Sequence, residues 1–92
     1  MAAMAREIAF HPGAWRDYLY WQEQDSKTLA RINALIRDCQ RDPFHGIGKP
    51  EPLKRELSGF WSRRIDDSNR LVYRVAGQQL QIVACRYHYG AR

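Results

Sequence analysis

The sequence has few cysteines, no long hydrophobic run and no grouping of metal ligands. Its two cysteines, Cys39 and Cys85, lie in apolar patterns and form no CxxC motif. We expect them to be buried thiols of a reduced protein rather than a disulfide. No apolar run approaches the roughly 20 residues that cross a bilayer, and residues 1–10 lack the apolar core of a signal peptide. These absences predict a cytoplasmic protein that does not associate with membranes.

The histidines and carboxylates also argue against a metal site. His11, His45 and His88 have no spacing, with each other or with the cysteines, that is typical of zinc. No cluster of carboxylates suits magnesium, so we expect neither a metal nor another cofactor. The 92 residues suffice for one small core, which predicts a single domain over residues 1–92.

Positive charge is abundant, and it is unevenly distributed. The net charge is +5, and the pI is about 9.6. Residues 1–48 carry six basic and six acidic residues, whereas residues 49–92 carry nine basic and four acidic ones. All of the excess therefore lies in the second half, which favours an anionic partner bound there. A solvated basic surface without such a partner is the alternative.

The first half of the chain predicts one strand and two helices. A short apolar strand at residues 8–10 is expected to end in a turn at residues 11–13. Apolar residues at helical spacing predict a first helix from Ala14 to about Glu23. Asp25 or Ser26 is expected to cap a second helix, which ends before Pro43. Its apolar stripe comprises Leu29, Ile32, Leu35, Ile36 and Cys39.

Aromatic residues are concentrated in the first predicted helix. The four are Trp15, Tyr18, Tyr20 and Trp21. They suit either a platform for stacking nucleobases or the hydrophobic core. Because they recur at helical spacing beside an apolar stripe, we predict that they belong to the core.

The second half predicts a loop and three strands. Residues 45–52 contain two glycines and two prolines, which favour a loop that holds Glu51 stiffly between Pro50 and Pro52. Strands are predicted at residues 60–65, 70–76 and 79–87, joined as an antiparallel meander. The expected fold is α+β, in the order β-α-α-β-β-β. The two N-terminal helices would cover one face of a small twisted antiparallel sheet and leave the other face free.

One carboxylate and one histidine in this half suit cleavage of a phosphodiester. Internal attack by a ribose 2′-OH needs a base, an acid and positive charge beside the phosphorane. Glu51 and His88 are candidates for the first two roles. The candidate cations are Lys49, Lys54, Arg55, Arg63, Arg64 and Arg70. From composition alone, a solvated basic surface is the favoured interpretation of the same residues.

Several ordered motifs are far more specific than charge. They are Asp17-Tyr18-Leu19-Tyr20-Trp21, Gly48-Lys49-Pro50-Glu51-Pro52-Leu53-Lys54, Leu57-Ser58-Gly59-Phe60-Trp61-Ser62-Arg63-Arg64-Ile65, Arg70-Leu71-Val72-Tyr73 and Cys85-Arg86-Tyr87-His88-Tyr89. In this order the motifs closely resemble the YoeB family of RelE-type mRNA interferase toxins, over nearly the whole chain.

The resemblance implies a RelE-like ribonuclease fold and a ribosome-dependent endoribonuclease that cuts mRNA in the ribosomal A site. It further implies that a YefM-type antitoxin neutralises the protein and that operator DNA is met only through this antitoxin. The products would be a 2′,3′-cyclic or 3′-phosphate and a 5′-OH. Either a monomer or a homodimer is compatible with the sequence.

The resemblance also assigns roles to individual residues. Glu51 matches the general base of the family, His88 its general acid and Arg70 the arginine that stabilises the transition state. Lys49, Lys54 and Arg64 match positions that are expected to hold phosphate or to orient the base. Tyr89 matches the aromatic residue that closes the active site.

Three features depart from the family pattern, and two other functions stay open. Residues 90–92 extend beyond the usual end at Tyr89, residues before Ile8 have no assigned role, and Asn69 occupies a position that is often histidine. We infer that Asn69 is not required for chemistry. A non-catalytic toxin that binds DNA gyrase, as ParE-type toxins do, is the main alternative. A free-standing RNA-binding or repressor module is the second.

Overall fold

The computed structural model describes residues 6–87, in which two helices pack on one face of a five-stranded sheet. Its elements are β1 (Glu7–Phe10), α1 (Pro12–Gln24), α2 (Ser26–Arg41), β2 (Glu51–Pro52), a 3₁₀ turn (Arg55–Leu57), β3 (Trp61–Arg64), β4 (Arg70–Ala76) and β5 (Gln79–Ala84). The predicted α+β class is confirmed. Within this part of the chain, neither helix is long and apolar enough to span a membrane.

The strand order of the sheet is β1-β5-β4-β3-β2. Strands β3, β4 and β5 form the predicted antiparallel meander, and β2 adds an antiparallel edge strand beside β3. Strand β1 runs parallel to β5, so the sheet is mixed rather than antiparallel throughout. Because β1 and β5 are far apart in sequence, no hairpin forces them to run in opposite directions.

Helix α1 begins two residues earlier than predicted. His11 has extended backbone angles, and its Nδ1 accepts a hydrogen bond of 3.3 Å from the amide of Gly13. Pro12 occupies the first helical position, where its missing N–H costs nothing. The predicted turn at residues 11–13 is therefore the capped start of the helix.

The aromatic residues of α1 are only partly in the core. Tyr18 and Trp21 pack against it, and the Tyr18 hydroxyl donates to Asn33 Oδ1 at 2.7 Å. Trp15 stacks on Tyr18 yet is 48% exposed, and Tyr20 contacts the Arg86 guanidinium instead of the core, so the prediction was wrong for Trp15 and Tyr20. The helical period alone does not distinguish a core position from the rim beside it.

Helix α2 and the inner face of the sheet form the core. Asp25 caps α2 by accepting bonds from the amides of Lys27 and Thr28, and four of the five stripe residues are buried. The inner face of the sheet contributes Leu71, Tyr73, Leu80 and Ile82. Cys39 and Cys85 are buried, as predicted. Burial raises the pKa of Cys39 to about 11, so its thiol stays neutral at physiological pH.

Arg63 is directed into the core, away from the surface where its charge suggested phosphate binding. Its side chain is fully buried, and it forms an ion pair of 2.6 Å with Asp38 of α2. The guanidinium also donates to the hydroxyl of Tyr73 and to the carbonyls of Asp42, His45 and Ile47. One buried cation thus ties the loop after α2 to both the helix and the sheet.

The Asp38 carboxylate makes stability depend on acid pH. Hydrogen bonds from Arg41 and Arg63 hold the pKa of Asp38 well below its usual range. A carboxyl whose pKa is lowered by folding stabilises the fold above its unfolded pKa and loses that contribution as pH falls towards its folded pKa. We expect the urea midpoint to fall as pH drops below about 4. Asp38→Asn should flatten this profile, and an unchanged slope would contradict the assignment.

Candidate active site

Glu51 and Arg70 meet at one end of the sheet, although 18 residues separate them in the chain. Arg70 Nη1 lies 3.4 Å from Glu51 Oε1. The Arg70 side chain is 12% exposed, whereas that of Glu51 is 52% exposed. A mostly buried guanidinium is thereby held against a carboxylate that solvent and ligands can reach.

A second arginine lies directly opposite Arg70. Arg64 at the end of β3 is in register with Arg70 at the start of β4. Like charges that face each other across two strands destabilise a sheet. A pair of this kind next to Glu51 favours a surface that binds an anion, because a phosphate between the guanidiniums would remove the repulsion.

The backbone that leads to Glu51 is tightly constrained. Gly48 has a φ of +82°, and a Cβ there would lie 2.7 Å from Leu35 Cδ2. The Gly48 carbonyl accepts a bond of 2.7 Å from the Arg64 amide. Glu51 lies in the short strand β2 and pairs with Ser62 of β3. The stretch around Glu51 was predicted as a loop, but Glu51–Pro52 is an edge strand, where proline is tolerated.

Arg70 also holds the chain that leads to His88. Its backbone amide donates to the Tyr87 carbonyl at 3.0 Å, and the Tyr87 amide donates to Asn69 Oδ1 at 2.6 Å. Asn69 is itself fixed by two bonds from its side-chain amide to the Asp66 carboxylate. Tyr87, the residue before His88, is therefore bonded to Asn69 and to Arg70, and the side chain of Arg70 contacts Glu51.

Helix α1 holds this segment from the other side. The Asp17 carboxylate accepts from the Cys85 amide at 3.1 Å, and Trp21 Nε1 donates to the Cys85 carbonyl at 2.8 Å. The Arg86 guanidinium lies 3.4 Å from the centre of the Tyr20 ring, a cation–π contact. Three side chains of α1 thus contact the two residues that follow β5 and hold them in place.

The predicted site residues have different outcomes. Glu51 and Arg70 are in contact, and Arg64 is paired in register with Arg70. Lys49 and Lys54 lie on either side of β2 and are exposed. Over residues 6–87, neither lysine forms a hydrogen bond or ion pair with Glu51 or Arg70. His88 and Tyr89 lie outside the described residues, so their roles stay predictions.

The sequence reasoning missed the contribution of Asn69 and misjudged Arg63. Asn69 was set aside because a different residue is common at its position, yet its side chain binds the backbone of Tyr87. The alternation of inward and outward side chains along β3 could have predicted that Arg63 faces the core. Trp61 and Arg63 share the inner face, whereas Ser62 and Arg64 share the outer one.

Comparisons with known proteins agree with this architecture. Residues 10–89 match the family model described as the YoeB-like toxin of bacterial type II toxin-antitoxin systems. The chain is 62% identical over 76 residues to the toxin YoeB of Escherichia coli K12, covering 83% of this chain and 90% of that protein.

Two solved structures from Staphylococcus aureus are similar over nearly the whole chain. The YoeB dimer has a TM-score of 0.86 and 44% identity, and the heterotetrameric YoeB-YefM toxin-antitoxin complex has a TM-score of 0.84 and 44% identity. Each covers 94% of this chain and 100% of the toxin chain compared. The match covers every element that presents Glu51, Arg64 and Arg70. The chain therefore belongs to the YoeB family of toxins.

Proposed function

We propose that this protein is a metal-independent endoribonuclease that cuts mRNA in the ribosomal A site. The contact between Arg70 and Glu51, with Arg64 opposite Arg70, carries the proposal. It combines an accessible carboxylate with a cation held against it and a second, exposed cation across the strands, two of the three elements that internal phosphodiester cleavage requires. Membership of the YoeB family supports the same activity.

In the proposed reaction the ribose 2′-oxygen attacks the adjacent phosphorus while Glu51 takes its proton. Arg70 and Arg64 neutralise the charge that develops on the phosphorane oxygens. The bond from phosphorus to the 5′-oxygen breaks, and His88 donates a proton to that oxygen. The products are a 2′,3′-cyclic phosphate and a 5′-OH. Lys49 and Lys54 would contact flanking phosphates, and Tyr89 would close the site.

We further propose a YefM-type antitoxin as the cellular partner and the programmed ribosome as the place of action. The antitoxin proposal is supported by the similar toxin chain in the Staphylococcus aureus complex. A homodimer of the free protein is supported by the similar YoeB dimer.

Primer extension on translated mRNA tests the nuclease proposal. Wild type is expected to produce cuts in A-site codons, while Glu51→Ala and His88→Gln produce none. Growth inhibition should disappear in both variants together with cleavage. Inhibition that persists in both variants without cuts would contradict the nuclease and favour a gyrase-binding toxin, which needs neither residue for proton transfer.

Asn69→Ala should slow cleavage more than its effect on folding explains. The change removes the acceptor for the Tyr87 amide, which costs about 1 kcal/mol of stability. Loss of position at the segment before His88 should lower the single-turnover rate by roughly tenfold or more. Single-turnover kinetics on programmed ribosomes, beside a melting curve, measure both effects. Ser68→Ala is the matched control, and an unchanged rate in Asn69→Ala would refute a positioning role.

A further inference from the structure

A groove on the sheet has no part in the proposed reaction. It has a volume of about 540 Å³, within the range of sites that hold small molecules or single nucleotides. We call it the Phe60 groove. Its lining residues are Ala9, Phe10, His11, Leu57, Phe60, Arg74, Gln81 and Val83.

The chemistry of the groove suits a flat ligand that carries negative charge. Five of the eight lining residues are apolar, the others are a histidine, an arginine and a glutamine, and none is acidic. The Arg74 guanidinium lies 5.3 Å from the centre of the Phe60 ring, and Arg74 Nε donates to Gln81 Oε1 at 2.7 Å. An aromatic ring beside a fixed guanidinium is a surface on which nucleobases stack.

The groove lies on the same face of the sheet as the pair formed by Arg70 and Glu51. Side chains alternate along a strand, so Arg70, Val72 and Arg74 of β4 share one face. Four residues of extended strand separate Arg70 from Arg74 by about 13 Å. A single-stranded RNA with its phosphate at Arg70 reaches this distance within a few nucleotides.

A peptide fits this location less well than RNA. Peptides that add to sheets pair with an exposed edge strand, and the edges of this sheet are β1 and β2. The Phe60 groove borders edge strand β1 only through Ala9 and Phe10, and its side chains Arg74, Gln81 and Val83 belong to the central strands β4 and β5. Their backbone groups are already paired on both sides, which leaves side-chain stacking as the main means of recognition.

We propose that the Phe60 groove binds a nucleobase of the mRNA a few nucleotides from the scissile bond. This subsite rests on the proposed function, because it assumes that RNA lies across Arg70. Phe60 supplies the stacking surface, and Arg74 supplies charge for the attached phosphate. The subsite would add sequence-tolerant affinity, since every base has an aromatic face.

Abasic scanning on programmed ribosomes tests the proposal without chemistry. The mRNA carries 2′-O-methyl groups around the A-site codon, so it is not cleaved, and one base is removed at a time. Fluorescence anisotropy of labelled protein measures the dissociation constant. For wild type, loss of one particular base should weaken binding roughly tenfold. Phe60→Ala should weaken binding of intact mRNA similarly and become insensitive to that base.

Three further variants make the outcome unambiguous. Phe60→Leu keeps the apolar volume and should resemble Phe60→Ala if stacking matters. Phe44→Ala removes an exposed aromatic residue outside the groove and should resemble wild type. Glu51→Gln should keep the abasic pattern although its cleavage of unmodified mRNA is strongly slowed, so failure of the nuclease proposal and of the subsite are separable.

Two results would overturn the subsite. Equal sensitivity of wild type and Phe60→Ala to every abasic position would exclude a base in the groove. Weaker binding of the antitoxin to Phe60→Ala, with an unchanged abasic pattern, would assign the groove to a peptide instead. Melting curves of all variants verify that each protein is folded during the binding measurement.

Discussion

Glu51→Gln is expected to lower the single-turnover rate of mRNA cleavage on programmed ribosomes by about 10²–10⁴-fold. Glutamine has nearly the same shape and can still accept a bond from Arg70, but it cannot take the 2′-OH proton. Because Glu51 is half exposed in the two-residue strand β2, the substitution should leave the melting temperature almost unchanged. Rapid-quench sampling of labelled mRNA measures the rate.

Glu56→Gln is the matched control for this result. Glu56 is an exposed carboxylate five residues further along, in the 3₁₀ turn. The Glu56→Gln protein should cleave at the wild-type rate, which separates loss of a base from loss of a negative charge. A rate for Glu51→Gln within threefold of wild type, with Arg70→Ala strongly impaired, would show that Glu51 is not the base.

Arg63→Met is expected to destabilise the fold by about 3–5 kcal/mol, since it removes one partner of a buried ion pair. The change removes the contact of Asp38 with Arg63, although Arg41 and the Ile47 amide still bond this carboxylate, and it removes donors to three loop carbonyls and to the Tyr73 hydroxyl. For a domain of this size the melting temperature should fall by more than about 10 °C. Thermal and urea unfolding measure the loss.

Arg37→Met serves as the matched control on the exposed side of α2. It should change the free energy of unfolding by less than about 0.5 kcal/mol. Arg63→Lys separates charge from geometry, because lysine keeps the charge without the planar fork and should recover only part of the stability. An Arg63→Met protein as stable as the Arg37→Met control would refute the structural role of Arg63.

Much of the fold was predictable because its signals are local. The apolar stripe of α2, the capping carboxylate of Asp25 and the alternation in β4 each depend on neighbours within a few residues. The predicted limits of β4 agree with the structure. The errors concern ends and edges, such as the start of α1 at Pro12 and the pairing of Glu51–Pro52 with β3.

The candidate site was predictable only as a set of residue types. Glu51 and Arg70 were chosen from motifs, but their contact depends on β2 pairing beside β3 and on β3 pairing beside β4. Arg63 and Arg64 are adjacent in sequence and equally basic. One is buried against Asp38, and the other faces Arg70.

By itself, the sequence determined the helices, most strands, the basic second half and the family motifs. Only the tertiary structure decided that β1 runs parallel to β5, that Arg63 belongs to the core and that Asn69 binds the segment before His88. The physical reason is the range of the interactions. Propensity, capping and periodicity act over a few residues, whereas strand register and buried ion pairs join residues that only the folded chain brings together.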